Sequence, residues 1–521
     1  MRTVDGFAGC RGCPLSRRSF LAAGGAACAG LVTASLPAFS QQDAEKMRIR
    51  VVYALTAEKQ PGPDWPNVGF DFGPVMACMD RALAAGCPEL ELVSSMAAGP
   101  EPAQAILAAD ESAGIDGYVV VQMNCWNQVV QTLATAGKPV LYADFPYAGS
   151  GGFLVYTARF RRDGAPNVGF VASSRIEDLV EAAKCFSLVA KGGSPADFVA
   201  ATARLRVQST PEPGDLAGAE DALATLSVAD WRERMRASKI LAVGGGWPGI
   251  APAIHSGLDI EVVDVPYAEL NAAWEAADPD ETRAVADRWQ KTAAKIEGVS
   301  RATLEASAAM YLAEKQVLAV RGANAIAINC LGGFYGGHIH AYPCLGFHEL
   351  NNQGLVGACE CDLRSTATMV AITALTQGRP GMISDPVIDT AGRQIVYAHC
   401  VAPNRAFGPA GPANPFEILT HSEDRQGASV RSLLPLGYLT TTLELAPERQ
   451  EILFHQGLAV ANVPEDRACR TKLAVEPVGD LEKLFTEWDA WGWHRVTFYG
   501  DLKEPVFALA DELGWKVLEE A

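Results

Sequence analysis

The chain has 521 residues, 49% hydrophobic and 20% charged, with 49 glycines and 31 prolines. That is enough for roughly two to four domains with real cores, and the composition excludes disorder, collagen and coiled coil. Its 43 basic and 61 acidic side chains leave a formal charge of −18, which offers no electrostatic footprint for nucleic acid or for an anionic membrane surface.

The N-terminal segment reads as an address. Ser16-Arg17-Arg18-Ser19-Phe20-Leu21 precedes a mildly apolar run through Leu36, and Ala38-Phe39-Ser40 offers a small-x-small cleavage site before polar Gln41. This resembles a twin-arginine export signal over residues 1–40, cleaved near Ser40, and it implies a periplasmic or otherwise exported protein. Its glycines and polar residues weaken the run as a stable membrane anchor. A lipid on Cys28 is the alternative, on a poor match to a lipobox. A route that carries folded proteins favours a metal or cofactor protein. Cys78, Cys185 and Cys330 sit in apolar runs and read as reduced core thiols, not as a disulfide framework.

From Met47 onward, strands and helices alternate. Strands are predicted over 48–55, 90–93, 117–121 and 139–142, with helices over 72–85, 102–110 and 126–136 between them. Such alternation predicts βαβ units on a parallel sheet covered on both faces. A Gly- and Pro-rich stretch near 148–153 closes this first domain, 47–165. A second α/β domain, 166–337, holds predicted helices over 177–188, 281–296 and 302–314 and strands over 240–243, 260–265 and 325–329. The Gly244–Gly249 run invites a dinucleotide reading, but Pro248 sits at the would-be helix start, so a tight turn is the better assignment. A third, mixed α/β domain spans 338–521, with Thr-rich β-like runs such as 437–443. The fold class is therefore α/β: two Rossmann-like parallel-sheet domains and a mixed C-terminal domain.

Chemistry concentrates after His338. Phe347-His348-Glu349-Leu350 and Cys359-Glu360-Cys361-Asp362 place carboxylates and imidazole together. With no thiolate cluster of zinc-finger spacing, these donors suit a hard or borderline divalent ion, Mn²⁺ or else Co²⁺ or Mg²⁺, with positions open to a hydroxyl-bearing substrate. On a strand, Glu360 and Asp362 would point to one face, and either could be the ligand. The alternative is that one of them caps a helix starting near Ser365.

Phe347-x-Glu349, Glu360-x-Asp362 and Gly492-Trp493-His494-x-Val496-x-Phe498 resemble the metal-site segments of the L-fucose and L-arabinose isomerases. Tyr397-Ala398-His399-Cys400 resembles the His–Cys strand of sugar isomerases related to fucose isomerase. The resemblance implies a metal-dependent aldose–ketose isomerase working through a cis-enediol, because the C2 proton of a sugar is too weakly acidic without a Lewis acid beside it. It further implies that Glu349 and Asp362 ligate the metal and shuttle protons and that His494 and His399 complete the ligand set. Read from the residues themselves, His348 (where the family has an apolar residue), Glu360, Arg364 and Trp493 are candidate substrate contacts, Arg364 being as well placed for a surface ion pair. A homo-oligomer, by resemblance a hexamer, is expected. The alternatives are an exported carbohydrate lyase or epimerase on the same scaffold, or a non-catalytic periplasmic sugar-binding protein.

Overall fold

The computed structural model describes residues 46–521. The expected export signal over 1–40, with Cys28, lies outside the described residues. Three large sheets and a small three-stranded one organise the rest, and the class is α/β.

In the first sheet, five strands pair in parallel in the order Leu90–Ala97, Met47–Ala54, Gly117–Gln122, Val140–Asp144, Val168–Val171. Gly117–Gln122 is buried along its whole length, as a Val-rich central strand covered on both faces must be. The sheet runs past the expected boundary at 165. The stretch near 148–153 is the opening turn of helix Ser150–Arg162, where a Cβ on Gly149 would stand 1.9 Å from the Gln122 carbonyl oxygen. Glycine there lets the helix begin hard against the end of the central strand, so the glycines mark close approach and not a linker.

The second sheet is also parallel, in the order Val356–Ala358, Ala325–Ile328, Lys239–Val243, Glu261–Val265. Its strand Val356–Ala358 lies beyond the expected boundary at 337. The predicted helix over 281–296 stops at Thr292, and Lys295–Glu297 joins a small separate sheet.

The third sheet is antiparallel apart from its last strand. Leu439–Ala446, Arg495–Tyr499, Met382–Asp389, Gln394–His399, Thr471–Pro477 and Glu451–Asn462 follow one another, and Glu451–Asn462 pairs back onto Leu439–Ala446. The six strands thus close on themselves as a barrel. Lys516–Glu519 adds in parallel to the outer side of Glu451–Asn462. Closure places Asp385, His399 and the start of the His494 strand on three neighbouring strands, and brings the barrel against the C-terminal ends of both parallel sheets, where open α/β sheets present ligands. Among the described residues, no helix is long and apolar enough to cross a membrane.

Candidate metal centre

Four side chains converge at the junction of the second sheet and the barrel. One ligand atom from each of Glu360, Asp385, His399 and His494 lies within 4.8 Å of all the others. Asp385 stands in the middle of Met382–Asp389, every residue of which is buried. Ser384 pairs with Arg495 in the antiparallel register, so the continuing register sets Asp385 across from His494. The His494 Nε2 is 3.1 Å from Asp385 Oδ1 and 3.6 Å from Glu360 Oε2. The His399 Nε2 is 3.9 Å from Glu360 Oε1 and 4.0 Å from Asp385 Oδ2.

Glu360 arrives by another route. Val356–Ala358 ends and helix Leu363–Leu375 begins within a few residues, and the link turns through left-handed backbone at Glu360 (φ 61°) and Cys361 (φ 49°). Two consecutive non-glycine residues in that region are costly and cluster at functional sites. The turn abolishes the strand alternation expected for Glu360 and Asp362. Asp362 becomes the helix cap: its Oδ1 accepts from the Arg364 and Ser365 N–H groups, both at 3.1 Å. Its Oδ2 accepts the proton of His494 Nδ1 at 3.0 Å.

That bond fixes the tautomer of His494. With Nδ1–H given to Asp362, Nε2 would turn its lone pair to a cation in the cluster, the arrangement in which a carboxylate orients a metal-bound imidazole. His399 differs, since its Nδ1 accepts the Cys400 N–H at 3.0 Å. Ligation through His399 Nε2 moves the ring proton to Nδ1 and gives up that contact, which makes His399 the looser imidazole donor.

The electrostatics call for a cation. Burial pushes the Glu360 carboxyl up to about 7, with His494 opposing the push and Asp385 adding to it. Burial alone would depress His494, yet Glu360, Asp362 and Asp385 hold it well above the usual histidine range. Both Nε2 atoms are buried: that of His399 has no hydrogen-bond partner, and that of His494 faces Asp385 Oδ1 at 3.1 Å. Two carboxylates and two imidazoles whose Nε2 atoms turn inward are a donor set that fits a borderline divalent ion.

The other residues singled out in the sequence fall into two groups. Arg364 and Trp493 line the same cavity, of about 890 Å³, as Glu360, Asp362, Asp385 and His494. Glu349 and His348 do not reach the cluster. The Glu349 Oε1 accepts from Arg288 and from Trp289 Nε1, both at 2.7 Å, and the buried indole and half-exposed guanidinium occupy the carboxylate expected to hold metal. His348 donates Nδ1–H to the Ala402 carbonyl at 2.7 Å and accepts from the Asn352 amide at 3.1 Å, leaving no ring nitrogen for substrate. Asp385 was missed. Its signal was an acidic residue in an otherwise apolar strand, Met382-Ile383-Ser384-Asp385-Pro386-Val387-Ile388, where a buried charge needs a partner.

An α/β scaffold with a closed barrel and a buried carboxylate–imidazole cluster under a large cavity defines the class: a protein with a candidate metal centre at the C-terminal ends of its parallel sheets. Comparison with known proteins narrows this. No family model matches the chain. Over 244 residues it is 25% identical to the sulfoquinovose isomerase of Clostridium sp. (strain MSTE9), covering 42% of this chain and 49% of that protein. Over 166 residues it is 26% identical to the sulfoquinovose isomerase of Alkalicoccus urumqiensis, covering 32% and 37%. The same-named protein of Priestia aryabhattai is 25% identical over 190 residues, covering 36% and 42%. The chain thus spans about half the length, or less, of the curated relatives it matches. Among solved structures, the XylFII-LytSN complex aligns at 10% identity and a TM-score of 0.16, over 57% of this chain and 86% of that one, too slight a likeness to bear on the fold.

Proposed function

We propose that the protein is a metal-dependent sugar isomerase that interconverts an aldose and a ketose. The convergence of Glu360, Asp385, His399 and His494 beneath a cavity of sugar-binding size carries this reading, and the distant likeness to sulfoquinovose isomerases supports it. A divalent cation, Mn²⁺ or else Co²⁺ or Mg²⁺, would polarise the sugar carbonyl and so acidify the neighbouring C–H.

The chain's own groups do the rest. Asp362 holds the His494 ring so that Nε2 faces the cluster. Isomerisation moves one proton between C2 and C1 and one between their oxygens, with no net consumption. Asp64 and Glu423 line the same cavity as the cluster and are the carboxylates we assign to this transfer. Burial pushes Asp64 up to about 7, with nearby Glu423 adding to the push. A group that titrates near neutrality both takes and returns a proton. Tyr335 donates its hydroxyl proton to Glu423 Oε2 at 2.6 Å and fixes that carboxylate. Export by the twin-arginine route and assembly as a homo-oligomer belong to the same proposal.

The test is elemental analysis of the purified chain, followed by Mn²⁺ reloading and an aldose screen in D₂O. One ion per chain, lost in Asp385→Asn, together with ketose formation and deuterium at C1 of the ketose, is the expected result. A chain that takes up no Mn²⁺, Co²⁺ or Mg²⁺ overturns the reading.

A further inference from the structure

The cavity above the cluster is strongly acidic. Besides Glu360 and Asp385, its walls include Asp64, Asp362, Glu423 and Asp489, and Arg364 is the one guanidinium among its described lining residues. Arg364 is engaged at both terminal nitrogens: Nη1 donates to the Trp491 carbonyl at 2.8 Å and Nη2 to the Glu448 carboxylate, which leaves its buried Nε as the one donor without a partner. Arg162 pairs with Asp489. A divalent ion would offset Glu360 and Asp385, and Asp362 is matched by His494 and its helix N-terminus. Glu423 is offset in part by the His421 imidazole and held by the Tyr335 hydroxyl, and Asp64, with Glu423 as its charged neighbour, is left without a cation. A sulfonate, phosphate or carboxylate on the substrate would enter a desolvated site facing like charges, with no free guanidinium fork to receive it.

Size argues next. A volume of about 890 Å³ lies near the top of the roughly 300–1,000 Å³ of sites that enclose drug-sized ligands, well beyond one hexose. The surplus is walled by aromatics. Trp126, beyond the end of Gly117–Gln122, is 52% exposed, and Trp247, beyond the end of Lys239–Val243, is 79% exposed. Trp126 is held in left-handed backbone at φ 61°, an unfavourable setting for a bulky residue that marks a site under functional constraint. It packs edge-on to Trp493 at 5.9 Å, which in turn meets Trp65 at 6.4 Å. Flat indole faces open to solvent within a cavity suit the C–H face of a sugar ring.

Resting on the isomerase reading of the metal centre, we propose that the cavity takes an uncharged reducing saccharide of more than one ring. Its reducing end lies at Glu360, Asp385, His399 and His494, and its outer ring lies against Trp126 and Trp247.

The experiment is calorimetric titration of the Mn²⁺-loaded chain with glucose, maltose, cellobiose and sulfoquinovose (glucose with a C6 sulfonate in place of the hydroxyl), repeated on the Trp126→Ala/Trp247→Ala double variant. The expected result is that maltose or cellobiose binds at least about tenfold tighter than glucose, and sulfoquinovose at least about tenfold weaker. In the double variant the disaccharide advantage shrinks to within about twofold while Mn²⁺ stoichiometry holds. Sulfoquinovose binding as tightly as the disaccharides, or disaccharides binding no tighter than glucose, overturns the proposal. Failure of the isomerase reading registers separately, as no Mn²⁺ uptake or no deuterium exchange, because binding heats do not depend on turnover.

Discussion

Asp362 serves His494 and the helix Leu363–Leu375 at once: one carboxylate oxygen takes the imidazole proton at 3.0 Å, and the other caps the helix through the Arg364 and Ser365 N–H groups. The carboxyl is held at about 2, because His494, the Ser365 N–H and Arg364 outweigh the upward push of burial. Asp362→Ala therefore has two separable effects. Metal affinity falls by about 10–100-fold as the ring loses its orientation, and stability falls by about 1 kcal/mol as the cap is lost. Asp362→Ser keeps a capping oxygen but not the charge, so it should restore stability more than affinity. Metal titration and denaturant unfolding of both variants check this, and unchanged affinity in both would refute the orienting role.

Glu349 predicts the opposite pattern. Its carboxylate satisfies the indole N–H of Trp289, which is fully buried, and pairs with the half-exposed Arg288. Glu349→Leu strands that indole donor and should cost about 1–3 kcal/mol of stability, with metal stoichiometry unchanged. Elemental analysis beside a urea melt reads both. Loss of the ion in a folded Glu349→Leu chain would return this residue to the ligand set.

Proton transfer is tested apart from metal binding by Glu423→Gln and Asp64→Asn. Each should lower turnover by about 10²–10⁴-fold, the usual worth of a positioned acid or base, while the chain keeps its ion. Tyr335→Phe, which removes the donor to Glu423, should cost less than Glu423→Gln. Equal turnover in Glu423→Gln and the unaltered chain would remove Glu423 from the mechanism.

The C-terminus supplies a pH dependence. Glu520 is buried with Arg495 at 2.8 Å and His455 Nδ1 at 3.0 Å. Burial would raise its carboxyl, but Arg495 and His455 overrule that and hold it at about 2, below its ordinary 4.5. A carboxylate with a depressed folded-state pKa contributes stability that is complete above the ordinary value and drains away as the pH falls toward the folded one. The chain should therefore lose stability between about pH 4.5 and 2 on this account. Glu520→Gln should be about 3–5 kcal/mol less stable at pH 7, since Arg495 is left buried and unpaired, and should show a flatter profile across that window. Chemical melts at several pH values decide it.

The parallel sheets were legible because Val- and Ile-rich runs such as Gly117–Gln122 carry their burial in their composition. The barrel was less so: its strands pair across long separations, and the pairing of Leu439–Ala446 with Glu451–Asn462 that closes the ring leaves no local mark. Within the site, His399 and His494 could be singled out because imidazoles stand out in apolar runs. Glu349 misled because a carboxylate beside Phe347 and His348 looks the same whether its partner is a metal or Arg288, which lies 61 residues upstream. Glu360 and Asp362 were paired by a strand alternation that the left-handed turn at Glu360 and Cys361 forbids. Asp385 went unread because a buried acidic residue in a strand announces a need for compensation without saying what meets it.

Because the barrel closes, the strands bearing Asp385 and His399, and the strand Arg495–Tyr499 that His494 immediately precedes, are hydrogen-bonded on both sides, and none can slip by a residue without turning its side chains to the other face. Two of the four donors are therefore locked by backbone pairing, and His494 is anchored one residue from it, none of which owes anything to an ion. Chelation should strip the centre without melting the sheet, and successive refilling with different cations should report the preference of one rigid cage and not a family of refolded states.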